Sequence, residues 1–408
     1  MKVRVIKGTN QIGGCITEVK SDNAKIVIDF GEDLPSQEKE VVIEKPMIEG
    51  LTTGKASYDA VFITHSHGDH IGLINYILDD IPVYVEEKSQ KIYELLCDFT
   101  RKEAKVNTKR ISFEEPVTIK DIKVTSYIAD HSSYNSAMLL IESNNRRILH
   151  TGDFRNHGRK GKILESTLKK IGPVDLLVTE GTSFGRDEIE YDTEEKITEQ
   201  AIEVFKKYNQ IFLLQSSTNI DRIVSFYKAS KKTNKTFIED LFAATITSYL
   251  KESIPNPITF KDVYVWTPLK YRRKNEDFKN KYLKPLEKFS NSKVVFQDYS
   301  MMVKTSMLND IKMLKEKGAI VNACLVYSMW EGYQEEESFR TFIDNVKLLG
   351  IDFKIIHTSG HADIKAIKEL AKITQPKKVV TIHTLNKEKS KEIFKNAVSL
   401  EDNEEIEV

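Results

Sequence analysis

The order of apolar and polar residues changes character near residue 190. Before that point, short apolar runs with the alternation of half-buried strands are separated by turn residues. The strands that this pattern predicts are Lys25–Phe30, Ala60–Thr64, Val83–Val85, Ile122–Tyr127, Ala137–Glu142, Arg147–His150 and Asp175–Thr179. Residues 117–130 and 137–151 have the pattern of antiparallel strands in a meander. The first part of the chain is therefore expected to be rich in β-structure.

After Glu180, apolar residues at helical spacing alternate with short strand-like runs. The first predicted elements are a helix that begins after Asp192, a strand Ile211–Gln215, a helix Ile220–Lys232, a strand Thr236–Glu239 and a helix Phe242–Lys251. The later ones are a strand over 292–296, a helix Leu308–Lys317, a strand Ala319–Tyr327, a helix Glu335–Leu349 and a strand Phe353–Ile356. Such alternation favours a parallel sheet flanked by helices. We expect residues 191–352 to form a second α/β domain, inserted into a first domain made of residues 1–190 and 353–408.

Composition narrows the class of protein. The 408 residues include 61 basic and 61 acidic side chains, so the formal net charge is zero, which argues against a protein that holds nucleic acid by a global positive field. Apolar runs are too short for a transmembrane helix, and the start of the chain lacks the apolar core of a signal peptide. The three cysteines, Cys15, Cys97 and Cys324, are far apart and form neither a disulfide framework nor a thiolate metal site. We therefore expect a cytoplasmic protein without a membrane partner.

The densest chemical signal lies directly after the strand-like run that ends at Thr64. Four side chains within six residues are potential metal ligands: His65, His67, Asp69 and His70. Burying so many polar groups without a partner would be costly, and imidazole together with carboxylate is a ligand set that suits a divalent metal. His65 and His67 can turn to one ion, and Asp69 and His70 to a second. The alternative, a polar surface turn, does not explain this concentration of ligand types.

Four further candidates follow other strand-like runs. They are Asp29, His131, Asp153 and His383. Loops at strand ends are where a rigid scaffold presents chemistry, although each of these residues alone is more often structural. Together with the first group they make a two-metal site the leading hypothesis.

The whole pattern resembles the metallo-β-lactamase superfamily. His65-Ser-His-Gly-Asp-His70 matches its HxHxDH signature, and Asp29, His131 and Asp153 match other motifs in the expected order. The resemblance implies an αββα sandwich with two divalent ions at one edge. It implies that His65, His67, His131 and Asp153 hold one ion, and that Asp69, His70, the bridging Asp153 and His383 hold the other. Asp29 would not bind an ion itself but would orient the residues that do.

Three more segments resemble the motifs of the β-CASP nucleases, whose members include ribonuclease J and the nuclease of the cleavage and polyadenylation machinery. They begin at Leu177, Ile356 and Val380, and they frame an insertion of suitable position and size. The resemblance implies that Ser359, Gly360 and His361 contact a substrate phosphate, as expected for small residues before a helix N-terminus. His361 would assist the leaving oxygen, Glu180 would hold that imidazole, and Asp69 would act both as a ligand and in catalysis.

The expected function is thus a metal-dependent phosphodiester hydrolase, most simply a ribonuclease, that uses a hydroxide activated by two metals. The ligand set has five imidazoles against two carboxylates, which favours zinc, with manganese as the alternative. A two-metal hydrolase of a small phosphodiester and a non-catalytic binding protein are the rival hypotheses. The choice between RNA and DNA, between endonuclease and 5′ exonuclease action, and the oligomeric state stay open. The sequence continues for 25 residues after His383, so we do not expect the C-terminal domain that ribonuclease J carries.

Two basic segments bear on the partner, which is expected to be single-stranded RNA. Residues 269–289 carry eight Lys or Arg against three acids, interleaved with aromatic residues, a composition that suits a nucleic-acid strand. Helical spacing of the aromatic residues favours a solvated helix with its aromatics in the core. Arg155, His157, Arg159 and Lys160 can reach a phosphate near the metals or pack the rim of the site.

Overall fold

The structure, a computed structural model, describes residues 1–34, 46–105, 107–186, 190–251, 254–290 and 295–408. The chain forms two compact units. The first contains residues 1–191 and 360–408, and the second contains residues 192–359.

The first unit contains two sheets. The strands of the larger sheet, in order across it, are Glu405–Glu407, Lys2–Lys7, Ile16–Lys20, Lys25–Ile28, Ala60–Phe62, Val83–Glu86 and Thr108–Ile111. Those of the smaller sheet are Lys378–Ile382, Leu176–Glu180, Arg146–His150, Ala137–Ser143, Ile122–Ile128 and Pro116–Ile119. The meander expected over 117–151 is present as antiparallel pairs in the smaller sheet.

Alternation along the strands assigns each apolar side chain to a layer. Ile26 and Ile28 face a core that also contains Val124 and Leu139 of the other sheet, so the two sheets pack face to face. Val27, between them in sequence, faces a second core on the outer side of the larger sheet. That outer core contains residues of the helix Glu87–Thr100.

The smaller sheet is covered in the same way. Its outer face forms a core with the helices Gly161–Ile171 and Ile364–Thr374. The layers of this unit are therefore helix, sheet, sheet and helix, which is the expected αββα sandwich. The remaining helices described in this unit are Gly68–Ile71, Lys389–Ile393 and a 3₁₀ turn Ile74–Tyr76.

The second unit is built on a parallel sheet. Its strands in order are Val263–Trp266, Thr236–Asp240, Tyr299–Val303, Gln210–Gln215, Ala323–Ser328 and Asp352–Ile355. Its α-helices are Glu194–Phe205, Ile220–Lys232, Leu241–Leu250, Leu269–Arg272, Glu276–Phe278, Lys284–Glu287, Leu308–Glu316 and Glu337–Leu348. A π-helical turn Lys279–Leu283 and two 3₁₀ turns, Thr305–Met307 and Glu331–Glu335, complete the set that the structure describes.

Two elements differ most from the sequence predictions. The strand expected over 292–296 falls mostly outside the described residues, and the strand in this region is Tyr299–Val303. The helix expected to begin near Ile71 is a single turn, Gly68–Ile71, so Asp69 and His70 lie within it. The expected domain limits of 191–352 stay a prediction. The compact unit extends to Ser359, because Asp352–Ile355 pairs with Ala323–Ser328.

Candidate metal centre

The candidate ligands come together where several strands of the first unit end. The strand Ala60–Phe62 leads to His65, Ile122–Ile128 leads to His131, and Arg146–His150 leads to Asp153. In the smaller sheet, Ile148 pairs with Leu176 and Glu180 pairs with Ile382, both in parallel register. These parallel pairs bring residues that follow three strands to one edge of the sheet.

The helical turn that carries Asp69 and His70 is fixed by backbone contacts. The amide of Phe30 donates to the carbonyl of His70 over 2.8 Å, and the amide of Glu32 donates to the carbonyl of Gly68 over 2.9 Å. Gly31, between these two donors, has no room for a side chain, since a Cβ there would overlap the carbonyl group of Asp69. The close approach of the two segments therefore requires glycine.

Three imidazoles form the first group of possible ligands. Nδ1 of His67 lies 3.1 Å from Nε2 of His65 and 3.2 Å from Nε2 of His131. His65 and His131 are buried, and all three rings present a nitrogen to the same small space. This group can hold one metal ion through three nitrogen atoms.

Two carboxylates and two imidazoles form the second group. Oδ2 of Asp153 lies 3.2 Å from Nε2 of His70 and 3.7 Å from Nε2 of His383. Oδ2 of Asp69 lies 3.3 Å from the same nitrogen of His383. The carboxylate of Asp153 also lies 3.9 Å from Nε2 of His65 and 4.0 Å from Nε2 of His131, so it stands between the two groups.

In most of these rings, Nδ1 contacts an oxygen atom, while Nε2 is directed at the other ligands. Asp29 Oδ2 lies 2.7 Å from Nδ1 of His70, and the carbonyl of Gly360 lies 2.6 Å from Nδ1 of His131. Thr64 Oγ1 lies 3.0 Å from Nδ1 of His65. An acceptor at Nδ1 leaves the lone pair of Nε2 free for a metal. His67 is the exception, because its Nδ1 faces the other rings.

Asp29 is itself fixed in an unusual conformation. Its φ is 59°, in the left-handed region, and its side chain is fully buried. The backbone amide of Thr64 donates to Oδ1 over 2.8 Å, and the Thr64 hydroxyl lies 2.8 Å from Oδ2. One carboxylate thus connects the turn before the histidine motif to His70, and the orienting role of Asp29 stays a prediction.

Burial and charge set the protonation of the cluster. Burial lowers the pKa of His65 and His131 well below the usual range and lowers that of His67 to about 4. Burial opposes a charge on His70 as well, but the carboxylates of Asp153, Asp29 and Asp69 outweigh it and raise its pKa well above the usual range. A proton on His70 thus balances the carboxylates, and a divalent cation would take over that electrostatic role.

Unsatisfied polar atoms provide a direct test of whether a metal fits. Nε2 of His70 and both carboxylate oxygens of Asp153 are buried and make no hydrogen bond within the described part of the chain. Such orphaned groups are rare in folded proteins and call for an ion or a water. They belong to the two residues at the centre of the second group, so the residues present fit a bound metal.

His361, the expected general acid, and its partner Glu180 lie beside the second group. Nδ1 of His361 is 3.1 Å from Oε2 of Glu180 and 3.5 Å from Oδ2 of Asp153, and its side chain keeps 24% exposure. Glu180 is buried and also accepts the backbone amide of Phe154 over 2.8 Å. Burial opposes a charge on His361, but Glu180 and Asp153 together raise its pKa to about 9.

The residues expected to contact a phosphate, Ser359, Gly360 and His361, do not lie directly at a helix N-terminus. The carbonyl of Gly360 faces His131, and the helix that follows begins only at Ile364. Its N-cap Asp363 already accepts the amide of Ala366 over 2.7 Å. Ser359 lies in the second compact unit. The assignment of Ser359, Gly360 and His361 to a substrate phosphate stays a prediction.

The basic segments pack largely as structural elements. Tyr271, Phe278 and Tyr282 are buried and contact one another through their rings. The structure therefore favours the interpretation of residues 269–289 as a helical segment whose aromatic side chains lie in the core. Arg155 and His157 are buried too, and Arg155 lies 3.7 Å from the carboxylate of Asp130, so these two side chains pack the fold.

Sequence reasoning identified Asp29 but missed three other groups that contact the ligand rings: the hydroxyls of Thr64 and Thr182 and the carbonyl of Gly360. Thr64 stands directly before the histidine motif and Thr182 stands inside the segment that contains Glu180, but nothing local marks either hydroxyl as a contact to a ring. The carbonyl of Gly360 carries no sequence signal at all.

The fold and the cluster define a metal-dependent hydrolase class, and comparison with known proteins agrees. Residues 25–213 match the family described as a beta-lactamase superfamily domain, and residues 353–399 match a Zn-dependent metallo-hydrolase RNA specificity domain. The chain therefore contains a metallo-β-lactamase domain and a match to an RNA specificity domain, and its relatives are consistent with the β-CASP branch.

Individual proteins are similar to the chain over different shares of its length. The chain is 24% identical to the probable RNase MJ4 of Methanocaldococcus jannaschii over 417 residues, covering 91% of this chain and 90% of that protein. It is 26% identical to ribonuclease J of Mycoplasma genitalium over 233 residues, which are 54% of this chain but only 40% of that protein. A crystal structure of a protein of unknown function from Enterococcus faecalis V583 has the same fold, with a TM-score of 0.76 and 20% identity over 99% of both chains.

No described helix is long and apolar enough to cross a membrane.

Proposed function

We propose that this protein is a metal-dependent ribonuclease that hydrolyses phosphodiester bonds. The observation that carries the proposal is the pair of ligand groups around Asp153, with buried atoms that make no hydrogen bond among the described residues, next to the His361–Glu180 pair. The names of the two relatives and the RNA specificity family support RNA as the substrate.

Two divalent ions are proposed to occupy the cluster. His65 and His131 would bind one ion through Nε2 and His67 would bind it through Nδ1. Asp69, His70 and His383 would bind the other, and Asp153 would serve both. Imidazole-rich coordination favours zinc, with manganese as the alternative.

When bound, the ions supply Lewis acidity that makes hydroxide available near neutral pH and stabilises charge on a phosphate. The chain's own residues then provide proton transfer and orientation. The half-open His361 is proposed to carry a proton on each ring nitrogen, because, against the effect of burial, Glu180 and Asp153 raise its pKa to about 9; Nδ1 would donate to Glu180, and Nε2 would give its proton to the leaving oxygen. Asp69, with 11% of its side chain exposed, is proposed to take a proton from the attacking water. Ser359 and Gly360 are proposed to contact a phosphate of the strand.

The test is digestion of end-labelled single-stranded RNA and DNA of one sequence by protein loaded with zinc or manganese. We expect cleavage of RNA, with the product lengths distinguishing internal cuts from stepwise release at the 5′ end. Asp69→Asn and His383→Ala should abolish turnover, whereas Asp22→Asn at an exposed turn should not. Turnover of a chromogenic small diester without cleavage of either polymer would overturn the proposal and favour a small-substrate hydrolase.

A further inference from the structure

One buried hydroxyl group contacts two histidines of the candidate site. Oγ1 of Thr182 lies 2.8 Å from Nδ1 of His383 and 3.3 Å from Nδ1 of His361. The same hydroxyl donates to the carbonyl oxygen of His383 over 3.3 Å. Thr182 is 5% exposed and His383 is 1% exposed, so water does not compete for these contacts.

Sheet register and backbone conformation create the contact. Glu180 and Ile382 are paired in parallel strands, and the amide of Gly181 donates to the carbonyl of Ile382 over 2.9 Å. The turn that follows Glu180 therefore meets the residue that follows Ile382. His383 has a φ of 54°, a left-handed conformation that a non-glycine residue adopts only when its surroundings hold it there. Both its ring and its carbonyl reach Thr182.

The hydrogen count assigns a direction to each contact. A hydroxyl group has one hydrogen to donate and lone pairs that accept. The carbonyl of His383 can only accept, so it takes the hydroxyl hydrogen and leaves Oγ1 as an acceptor. With the hydroxyl hydrogen on the carbonyl, Oγ1 suits the tautomer of His383 that carries its hydrogen on Nδ1 and directs the lone pair of Nε2 at Asp69 and Asp153.

We infer that Thr182 is a positioning residue that fixes the tautomer and the orientation of His383 as a metal ligand. Its hydroxyl does for His383 what the carboxylate of Asp29 does for His70 at 2.7 Å. The inference rests on the proposed function only in that it takes His383 to be a ligand. It adds a neutral hydrogen-bond partner, the hydroxyl of Thr182, for the imidazole of His383. The other imidazole of the second group, His70, has a charged partner, Asp29.

The same oxygen also connects the ligand to the proposed acid. Nδ1 of His361 has Glu180 at 3.1 Å and Thr182 at 3.3 Å, and the rings of His361 and His383 lie with their centroids 5.3 Å apart. Thr182 is therefore a second acceptor for the Nδ1 hydrogen of His361. Loss of the hydroxyl would remove the Nδ1 contact of His383, whereas Nδ1 of His361 would keep Glu180 at 3.1 Å.

The experiment uses the full-length protein stripped of metal and titrated with Co²⁺. Thr182→Val removes the hydroxyl group at nearly constant volume, and Thr182→Ser restores it. Ser183→Ala is the matched control, since its neighbouring hydroxyl is buried and makes no hydrogen bond with any described residue. Affinity is read from the d–d absorption under competition with a chelator. The exchangeable ring hydrogens of the ligating histidines are read from their paramagnetically shifted NMR signals.

Thr182→Val should weaken the binding of one of two cobalt ions by about 10- to 100-fold, the usual effect of removing such an outer partner, and leave the binding of the other ion unchanged. One shifted ring-hydrogen signal should be lost to exchange with water. Thr182→Ser should recover both readouts, and Ser183→Ala should match the wild type. If the valine variant does not fold, Thr182→Ala provides the same comparison.

The outcomes separate this inference from the proposed function. Wild-type affinity and an intact signal in the valine variant would overturn the role of Thr182 and leave the nuclease proposal standing. Weakened cobalt binding in a protein that cleaves no RNA would support Thr182 and overturn the nuclease. A wild-type chain that takes up no cobalt would overturn both.

Discussion

The role of His361 can be isolated by replacing it with asparagine. In the His361→Asn variant, the side-chain amide can keep a hydrogen bond to Glu180, which lies 3.1 Å from Nδ1 of the native ring. The variant has no proton to donate at the position of Nε2. The native side chain is 24% exposed, so the substitution removes little packing.

The expected loss depends on the leaving group. Removal of a general acid costs about 10²- to 10⁴-fold in kcat, or about 2.7–5.5 kcal/mol in activation free energy, when an alkoxide must be protonated. RNA has such a leaving group. A bis(p-nitrophenyl) phosphate releases a stable phenolate, so its kcat should fall by less than about tenfold in the same variant.

A different outcome would follow if His361 were a ligand. Asp153, Glu180, His361 and His383 also form a group whose donor atoms lie within 4.8 Å of one another. If an ion used that group, His361→Asn would lose metal, and turnover of both substrates would fall together. Parallel kinetics on RNA and on the diester, with metal content measured by mass spectrometry, would decide between the two. An equal loss on both substrates with depleted metal would refute the acid assignment.

Three further predictions concern titratable side chains. Asp29→Asn should weaken zinc binding by about 10- to 100-fold in a chelator competition, because an amide no longer secures the Nδ1 hydrogen of His70; unchanged affinity would contradict this. In the metal-free protein, the pKa of His67 is about 4 against about 6.5 in the unfolded chain, so acidification from pH 7 to 5 should lower the urea midpoint, and His67→Asn should lose less; an equal loss in both proteins would contradict the assignment. Burial raises the pKa of Glu239 well above its usual range, and only Thr247 donates to it among the described contacts, so ionisation costs stability as the pH rises above 4.5. Glu239→Gln should therefore raise the melting temperature at pH 8 but not at pH 4, and the same shift at both pH values would show that Glu239 is not the cause.

Local patterns are sufficient to predict the parts of the site that follow single strands. The strand Ala60–Phe62 and the histidine motif after it are adjacent in sequence, so their combination is visible without a structure. The sheet of the second unit is predicted less completely. Tyr299–Val303 lies in the interior of that sheet, but its alternation is weak, and the sequence pattern favours a strand that begins earlier, over 292–296.

Long-range register determines what sequence could not show. Thr182 and His383 meet only because the strands before them pair, although they are separated by 201 residues. The carbonyl of Gly360 and the ring of His131 meet across 229 residues. Partners of this kind depend on geometry that no residue pattern encodes, whereas ligands are recognisable by their type.

The most direct test of the central claim is anomalous X-ray diffraction at the zinc absorption edge, from crystals of the full chain grown with zinc. The account predicts two peaks. One lies within bonding distance of Nε2 of His65, Nδ1 of His67 and Nε2 of His131, and the other lies among Asp69, His70 and His383, with the carboxylate of Asp153 between the peaks. The absence of any peak in this cluster, or a peak held by Glu180 and His361 in place of the second, would contradict it.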